Sequence, residues 1–280
     1  MSSTKAVRTA IGSIIQTGMY TKKPIPNYPN STLNQKLDIQ PNLTLAVDEQ
    51  PGVRYLAIGN GGHDFVVAGN KVLWKDVLHT PKHAALYNQL PFVLRKPAED
   101  LSPAERAKYR LRRLETHGGQ QYAAYYLRVL DYSDTELALE LRHVEDGVTT
   151  SSAYQPTLED LNPVPPVINT GAQVTAIKDY VASTAKVPFV MTPEDVEEFL
   201  SAVEIIDGDL GAAIISEIAT VAGVDRSVSG NFNGQQVNYT EVVRAQVSAF
   251  VTSGFIMSHQ TDGIDILLDV GNVEPLFDLT

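Results

Sequence analysis

The proline-rich run Asn162-Pro163-Val164-Pro165-Pro166 constrains the fold of this chain more than any other segment. Proline fixes φ and lacks an N–H donor, so neither a helix nor a central strand passes easily through such a run. The charge also changes here: residues 166–280 contain 16 acidic and 4 basic side chains, whereas residues 1–165 contain 17 and 18. Two unlike parts are therefore expected, residues 43–162 and residues 167–280, preceded by residues 1–42.

The N-terminal segment, residues 1–42, contains a proline-rich stretch. Pro24, Pro26 and Pro29 lie there among Asn, Ser and Lys residues. Fixed φ angles and missing donors predict an extended arm or a loop lying over a surface. Because such an arm can reach a neighbouring subunit, we hypothesise that these three prolines contribute to an interface.

Residues 43–162 are predicted to be β-rich with antiparallel hairpins. Short apolar runs at 53–58, 65–68 and 71–74 are separated by glycine-rich turns at 59–62 and 69–70, whose residues tolerate positive φ. A Ser cap, a Pro and a Glu at 102–105 predict a short helix. Apolar runs and alternation predict a three-stranded antiparallel meander over 109–116, 122–130 and 135–144.

Residues 167–280 are predicted to form an acidic, mainly helical domain. Thr192-Pro193-Glu194-Asp195 begins a helix that ends at Gly208, and apolar residues at helical spacing predict two more helices over 210–222 and 239–253. Residues 255–258 and 264–270 are predicted to form a hairpin. The predicted fold class is therefore α+β, with a β-rich N-terminal part and three helices plus a hairpin in the C-terminal part.

The sequence contains no complete catalytic, cofactor-binding or metal-binding motif. There is no cysteine, which excludes disulfides, thiolate zinc sites and a cysteine nucleophile. His79 and His83 are four residues apart, but Pro81 disfavours a helix through both, so surface histidines around a turn are predicted. Several aspartates match no calcium-binding loop and are interpreted as solvated acids: residues 207, 209, 262, 265 and 269. No metal or cofactor is expected.

The segment Gly59-Asn60-Gly61-Gly62-His63-Asp64 invites comparison with a dinucleotide-binding loop. Asp64 replaces the third glycine of that motif, and a strand pattern follows instead of a helix, so a hairpin turn is predicted. His63 beside Asp64 leaves one alternative open, a hydrolase-type enzyme with an unrecognised His/Asp site.

The N-terminal residues lack an apolar signal segment, and no run approaches the length of a membrane span. The chain is accordingly expected to be soluble. Three helices followed by a hairpin also suggest a winged helix, which leaves a nucleic-acid-binding adaptor as a further alternative. The third predicted helix carries one basic residue, Arg244, and the acidic charge of this half argues against nucleic acid as a partner.

The only basic cluster lies at residues 106–113 and includes Arg106, Arg110, Arg112 and Arg113. Acidic residues flank it, and alternate residues of a strand point to opposite faces. We therefore interpret the cluster as a protein interface that pairs with acidic surface, such as the C-terminal part of a neighbouring copy.

Two long segments resemble structural proteins of tailed bacteriophages, most closely the tail, baseplate or neck components of contractile-tailed phages. They are residues 55–63, Tyr-Leu-Ala-Ile-Gly-Asn-Gly-Gly-His, and residues 79–95, which begin His-Thr-Pro-Lys-His; residues 215–219 and 238–247 add to the likeness. The resemblance implies a non-catalytic virion protein that works through interfaces. It carries over no site residue.

The expected function is therefore that of a virion structural protein, not an enzyme, that mediates assembly contacts in a phage tail, baseplate or neck. Its expected partners are other virion structural proteins and further copies of itself in an oligomer or ring. Its expected location is the virion, and the host cytoplasm during assembly.

Overall fold

The computed structural model describes residues 5–146, 148–167, 174–232, 235–260 and 262–279. Strands account for 50% of the structure and helical segments for 19%, so the protein is mostly β. The described α-helices are α1 (Ala10–Thr21), α2 (Leu33–Leu37), α3 (Pro103–Arg106), α4 (Leu158–Leu161) and α5 (Pro193–Asp207). In the part of the chain that the structure describes, no helix combines the length and hydrophobicity needed to cross a membrane.

The described strands are β1 (Lys5–Arg8), β2 (Gly52–Gly59), β3 (His63–Ala68), β4 (Lys71–Asp76), β5 (Gln89–Leu90), β6 (Val93–Arg95), β7 (Tyr109–His117), β8 (Gln120–Val129), β9 (Leu137–Glu145), β10 (Val148–Ala153), β11 (Val174–Met191), β12 (Ile214–Phe232), β13 (Gln235–Ile256), β14 (Ile264–Asp269) and β15 (Asn272–Leu279).

The chain divides into two compact units. Unit one spans residues 1–130 and 191–264, and unit two spans residues 131–190 and 265–280. The predicted boundary near residues 162–167 falls inside unit two and does not separate the units. The predicted N-terminal segment, residues 1–42, belongs to unit one.

Unit one is built on an eight-stranded sheet in the order β1-β13-β12-β2-β8-β6, with β5 beside β2 and β7 beside β8. Strands β3 and β4 form a separate two-stranded hairpin. Side chains of β2, β8, β12 and β13 form the main core, onto which Leu33 and Leu37 of α2 pack. In unit two, the described strands form a five-stranded sheet in the order β10-β9-β11-β14, with β15 beside β11.

The prediction of a mainly helical C-terminal part is wrong. That region forms long strands and a half-barrel, and the predicted helices over 210–222 and 239–253 lie largely in β12 and β13. Every residue from 213 to 223 is buried, so this strand is covered on both faces. A continuous apolar run of this kind fits a helical period as well as a strand, and its many β-branched residues favour the strand.

Two further predicted pairings are corrected. Strands β7 and β8 do form a hairpin, but β9 pairs with β10 and β11 in the other sheet, so there is no three-stranded meander. Residues 255–256 end β13, and β14 is a neighbour of β11, so the predicted C-terminal hairpin is absent among the described residues. Alternation identifies a strand but does not identify its partner.

The predictions that depend on local chemistry are confirmed. Thr192 caps α5 through a capping box with Asp195, and Gly208 ends the helix at φ 71°. Ser102 and Glu105 form the same arrangement at α3. These contacts lie within one helical turn, so the sequence alone specifies them.

Candidate interaction site

Glu217 of β12 is a fully buried carboxylate that joins separate parts of unit one. Its Oε1 accepts hydrogen bonds from the backbone N–H of Gly61 at 3.0 Å and of Asn88 at 2.8 Å. Its Oε2 accepts from the backbone N–H of Tyr87 at 3.0 Å and lies 2.7 Å from His79 Nε2. Burial of a carboxylate is costly unless its lone pairs are satisfied, and these donors satisfy them.

The donors to Glu217 lie on both sides of the β3–β4 hairpin in the sequence. Residue 61 precedes the β3–β4 hairpin, whereas residues 79, 87 and 88 follow it. Val77 N also donates to Gly62 O at 2.9 Å, which closes the base of the hairpin. Glu217 therefore anchors both ends of the segment that carries the hairpin.

The glycines before the hairpin allow the backbone to approach β12 closely. A Cβ atom on Gly62 would lie 2.3 Å from Ser216 O, and one on Gly61 would lie 2.6 Å from the Tyr87 side chain. Within the hairpin, Gly69 has a φ of 63° in the two-residue turn, as a type II′ turn requires at this position. Lack of space, and not positive φ, thus accounts for Gly61 and Gly62.

His79 is buried, contrary to the prediction of surface histidines. Its ring stacks 3.7 Å from Phe250 and 4.2 Å from Tyr87, and its Nδ1 lies 3.1 Å from Nδ1 of His83. His79 is thus held by aromatic packing on both faces and by hydrogen bonds at both nitrogens. The described residues contain no group of three His, Asp or Glu side chains arranged to hold a metal ion.

The β3–β4 hairpin exposes apolar side chains on both of its faces. The pairs Phe65–Trp74 and Val67–Val72 share one face, and Val66–Leu73 lies on the other. Phe65 is 52% exposed, Val67 72% and Val72 66%. An isolated two-stranded hairpin is at best marginally stable in water, so this exposed apolar surface is a candidate contact site.

At the base of the hairpin, His63 connects the exposed strands to β12. Its ring stacks 4.2 Å from Trp74, and its Nδ1 lies 2.8 Å from Ser216 Oγ. Gly62 N donates to the same hydroxyl at 3.0 Å, so Ser216 joins the loop and the ring at one point. Burial lowers the pKa of His63, against opposing effects that include the nearby Asp64 and Glu217 carboxylates. A neutral imidazole is therefore favoured.

The His63–Ser216 pair has the contact distance of a base and a nucleophile, as the hydrolase alternative would require. Asp64 does not orient His63; its carboxylate accepts from Phe65 N at 2.8 Å. Ser216 is fully buried. A groove of about 660 Å³ borders α2 and β7, and it contains neither member of the pair.

The predicted basic cluster is largely committed to ion pairs within unit one. Arg110 donates to both oxygens of Asp225 at 2.8 Å. Arg112 donates to Asp100 at 2.7 and 3.0 Å. Arg106 lies over the ring of Tyr239.

Arg110 and Arg112 are mostly buried, whereas Arg113 is 42% exposed and lies 3.8 Å from Glu115. The interface hypothesis for this cluster stays a prediction, and Arg113 is the most accessible of the ion-paired members.

A tyrosine hydroxyl joins each of these Asp–Arg pairs. Tyr55 donates to Asp225 at 2.7 Å, and Tyr125 donates to Asp100 at 2.8 Å. A third group has the same composition: Arg128 and Tyr109 both donate to Asp195. Arg110 and Arg112 thus stabilise unit one through internal ion pairs.

The N-terminal proline stretch is a loop over the surface of unit one and not a projecting arm. Ile25 is buried, and Pro26 O accepts from Arg244 at 3.0 Å. Asn34 then exchanges hydrogen bonds with β13, donating to Val242 O and accepting from Ala245 N. Pro24, Pro26 and Pro29 themselves are exposed, so their predicted interface role stays a prediction.

Sequence reasoning missed Glu217, Ser216 and the exposure of the hairpin. One signal was present: Glu217 is the only acid in the apolar run 210–222. A carboxylate inside a buried run needs internal donors, which marks it as a structural or functional centre.

The fold and site together define a two-unit β protein that presents an anchored apolar hairpin. The chain belongs to a family of unknown function, DUF7208, whose model matches residues 1–280. Comparison with curated proteins and with solved structures gives no match.

Proposed function

We propose that this protein is a non-catalytic structural subunit that mediates assembly contacts through its β3–β4 hairpin. The observation that carries the proposal is the apolar surface on both faces of a hairpin whose base is fixed by Glu217. A fixed base presents the hairpin in one orientation, which lowers the conformational cost of binding. An apolar centre is also the usual composition of a contact that persists.

The particle we propose is the virion of a contractile-tailed bacteriophage, with the protein in its tail, baseplate or neck. The likeness of residues 55–63 and 79–95 to such proteins supports this part. The same two segments supply the Glu217 contacts on either side of the hairpin. The segments that carry the resemblance therefore also build the base of the proposed contact.

A charge-balanced hairpin variant tests the function. Val67→Asp with Val72→Lys removes two exposed apolar side chains, while the opposite charges face each other across the hairpin and favour its strand pairing. The matched control is Leu158→Asp with Leu161→Lys, two exposed residues one turn apart on α4.

Phage that lack the wild-type protein are complemented with each variant, and purified virions and assembly intermediates are analysed by mass spectrometry. We expect the wild type and the α4 control to be incorporated and the hairpin variant to be lost. Normal incorporation of the hairpin variant, or absence of the wild-type protein from virions and intermediates, contradicts the proposal.

A further inference from the structure

Among the strands that the structure describes, only β3 pairs with β4, so the other edge of β4 is open to a further strand. Ala68 and Lys71 close a two-residue turn, so they exchange hydrogen bonds, and the alternate residues Val72 and Trp74 direct their backbone N–H and C=O groups outwards. On β3 the corresponding N–H of Phe65 is already bonded to the Asp64 side chain. Strand β4 is therefore the more open edge of the hairpin.

A second open edge lies in unit two, at β10. This strand pairs with β9, and all six of its residues are exposed. Tyr154 N donates to Leu139 O at 2.9 Å. Because hydrogen-bonded pairs alternate along an antiparallel ladder, the even-numbered residues of β10 direct their backbone N–H and C=O groups towards β9. The backbone N–H and C=O groups of Thr149 and Ser151 therefore point outwards. Within the described ranges no other strand pairs with β10.

Strand β10 lacks the features that usually prevent strand addition. Its sequence, Val-Thr-Thr-Ser-Ser-Ala, contains no proline and no charge. Natural proteins protect exposed edges with lysine, proline, bulges or a covering element. A six-residue, uncharged edge without proline is a template for strand addition unless something covers it.

We infer that β4 of one copy adds to the edge of β10 of a second copy, which joins the two sheets between subunits. The inference rests on the proposed function and names the acceptor of the hairpin. Both strands are six residues long. An antiparallel arrangement with Val72 opposite Ser151 and Trp74 opposite Thr149 satisfies the outward groups of both.

Side chains support a second copy as the partner. In this register Leu73 lies beside Thr150, on the face of unit two that exposes Leu137, Leu139 and Leu141. Lys75 lies beside Val148, whose partner on β9 is Glu145. The backbones of Lys75 and Glu145 are then about 10 Å apart, two strand spacings, within reach of two opposite charges on long side chains.

The absence of cysteine makes a crosslinking test direct. Leu73→Cys and Thr150→Cys are placed in separate, differently tagged full-length chains, mixed and mildly oxidised. The two positions form a pair without mutual hydrogen bonds, at a separation of about 4.5 Å between Cα atoms, which a disulfide bridges. The control mixes Leu73→Cys with Val164→Cys, an exposed position outside the strands.

We expect a covalent heterodimer from the Leu73/Thr150 mixture and only the background level from the control mixture. No excess over the control overturns the inference. It is likewise overturned if a chain that carries both cysteines forms the disulfide only within itself.

A proline pair provides a second readout. Ser151→Pro removes an N–H that points away from β9, so unit two keeps its ladder and the excess heterodimer is lost. Thr150→Pro removes an N–H that points to β9 and is expected to destabilise unit two itself. Retention of the heterodimer with Ser151→Pro overturns the inference. If these tests fail while the hairpin variant is still lost from virions, the proposed function stands and the hairpin has another acceptor.

Discussion

His79 Nε2 lies 2.7 Å from Glu217 Oε2, and neither side chain is exposed to solvent. A carboxylate only accepts, so His79 donates from Nε2 and its Nδ1 faces His83. Since Glu217 lies on β12 and His79 follows the hairpin in sequence, this contact fixes the chain where it returns to the central sheet. The exposed hairpin therefore depends on a buried polar contact of the core.

Replacement of Glu217 by Gln tests this dependence. The amide keeps one acceptor but turns its NH₂ group towards donors, so some donors among Gly61, His79, Tyr87 and Asn88 lose their partner. An unsatisfied buried donor costs about 1–3 kcal/mol, and we expect a loss of this size in the free energy of unfolding. Denaturant titration measures it. Exposed Glu204→Gln is the control, and an equal effect of both changes contradicts the anchor role.

Gly62→Ala tests the close approach of the loop to β12. The added methyl group would lie 2.3 Å from Ser216 O, whereas at Gly52 the nearest neighbour is a flexible Arg54 side chain at 3.5 Å. We expect Gly62→Ala to destabilise the fold by about 1–3 kcal/mol and Gly52→Ala to have little effect. Thermal unfolding of both variants measures the difference. Equal midpoints would show that the backbone at Gly62 has room to move.

The hairpin is expected to weaken in mild acid through His63. The pKa of His63 is lowered from the ordinary value of 6.5, mainly by burial. The neutral ring therefore stabilises the fold fully above pH 6.5, and this stabilisation is lost as the pH falls through the folded pKa. Trp74, the only tryptophan, stacks on His63, so its fluorescence reports this contact. We expect a transition below pH 6.5 in the wild type and none in His63→Phe. The same transition in the variant assigns it to another group.

The Asp225 group is expected to make unit one sensitive to stronger acid. Burial opposes ionisation of Asp225, but hydrogen bonds from Arg110 and Tyr55 outweigh it and leave the pKa below its ordinary value of 3.8. The stabilisation is therefore present above pH 3.8 and lost as the pH falls through the folded pKa.

Asp225→Asn is expected to cost about 1–3 kcal/mol near neutral pH and to flatten the acid limb of the stability profile. Denaturant unfolding between about pH 5 and pH 1 measures both effects. Exposed Asp48→Asn is the control. An acid limb of unchanged slope in Asp225→Asn contradicts the assignment.

The sequence by itself determined the features that depend on neighbours within a few residues. The capping box of Thr192 and Asp195, the Ser102 helix start and the Gly69 turn are each complete within four residues, so their chemistry is readable along the chain. The exclusion of cysteine chemistry is of the same kind, because it follows from composition.

Only the tertiary structure decided whether the apolar run at 210–222 is helix or strand. Burial on both faces removes the alternation that distinguishes the two, so the outcome depends on β2 and β13 pairing with it from distant parts of the sequence. The same pairing delivers Glu217 to Gly61, 156 residues away. No local pattern encodes such a separation, since the burial that makes a carboxylate an anchor exists only after the sheet has formed.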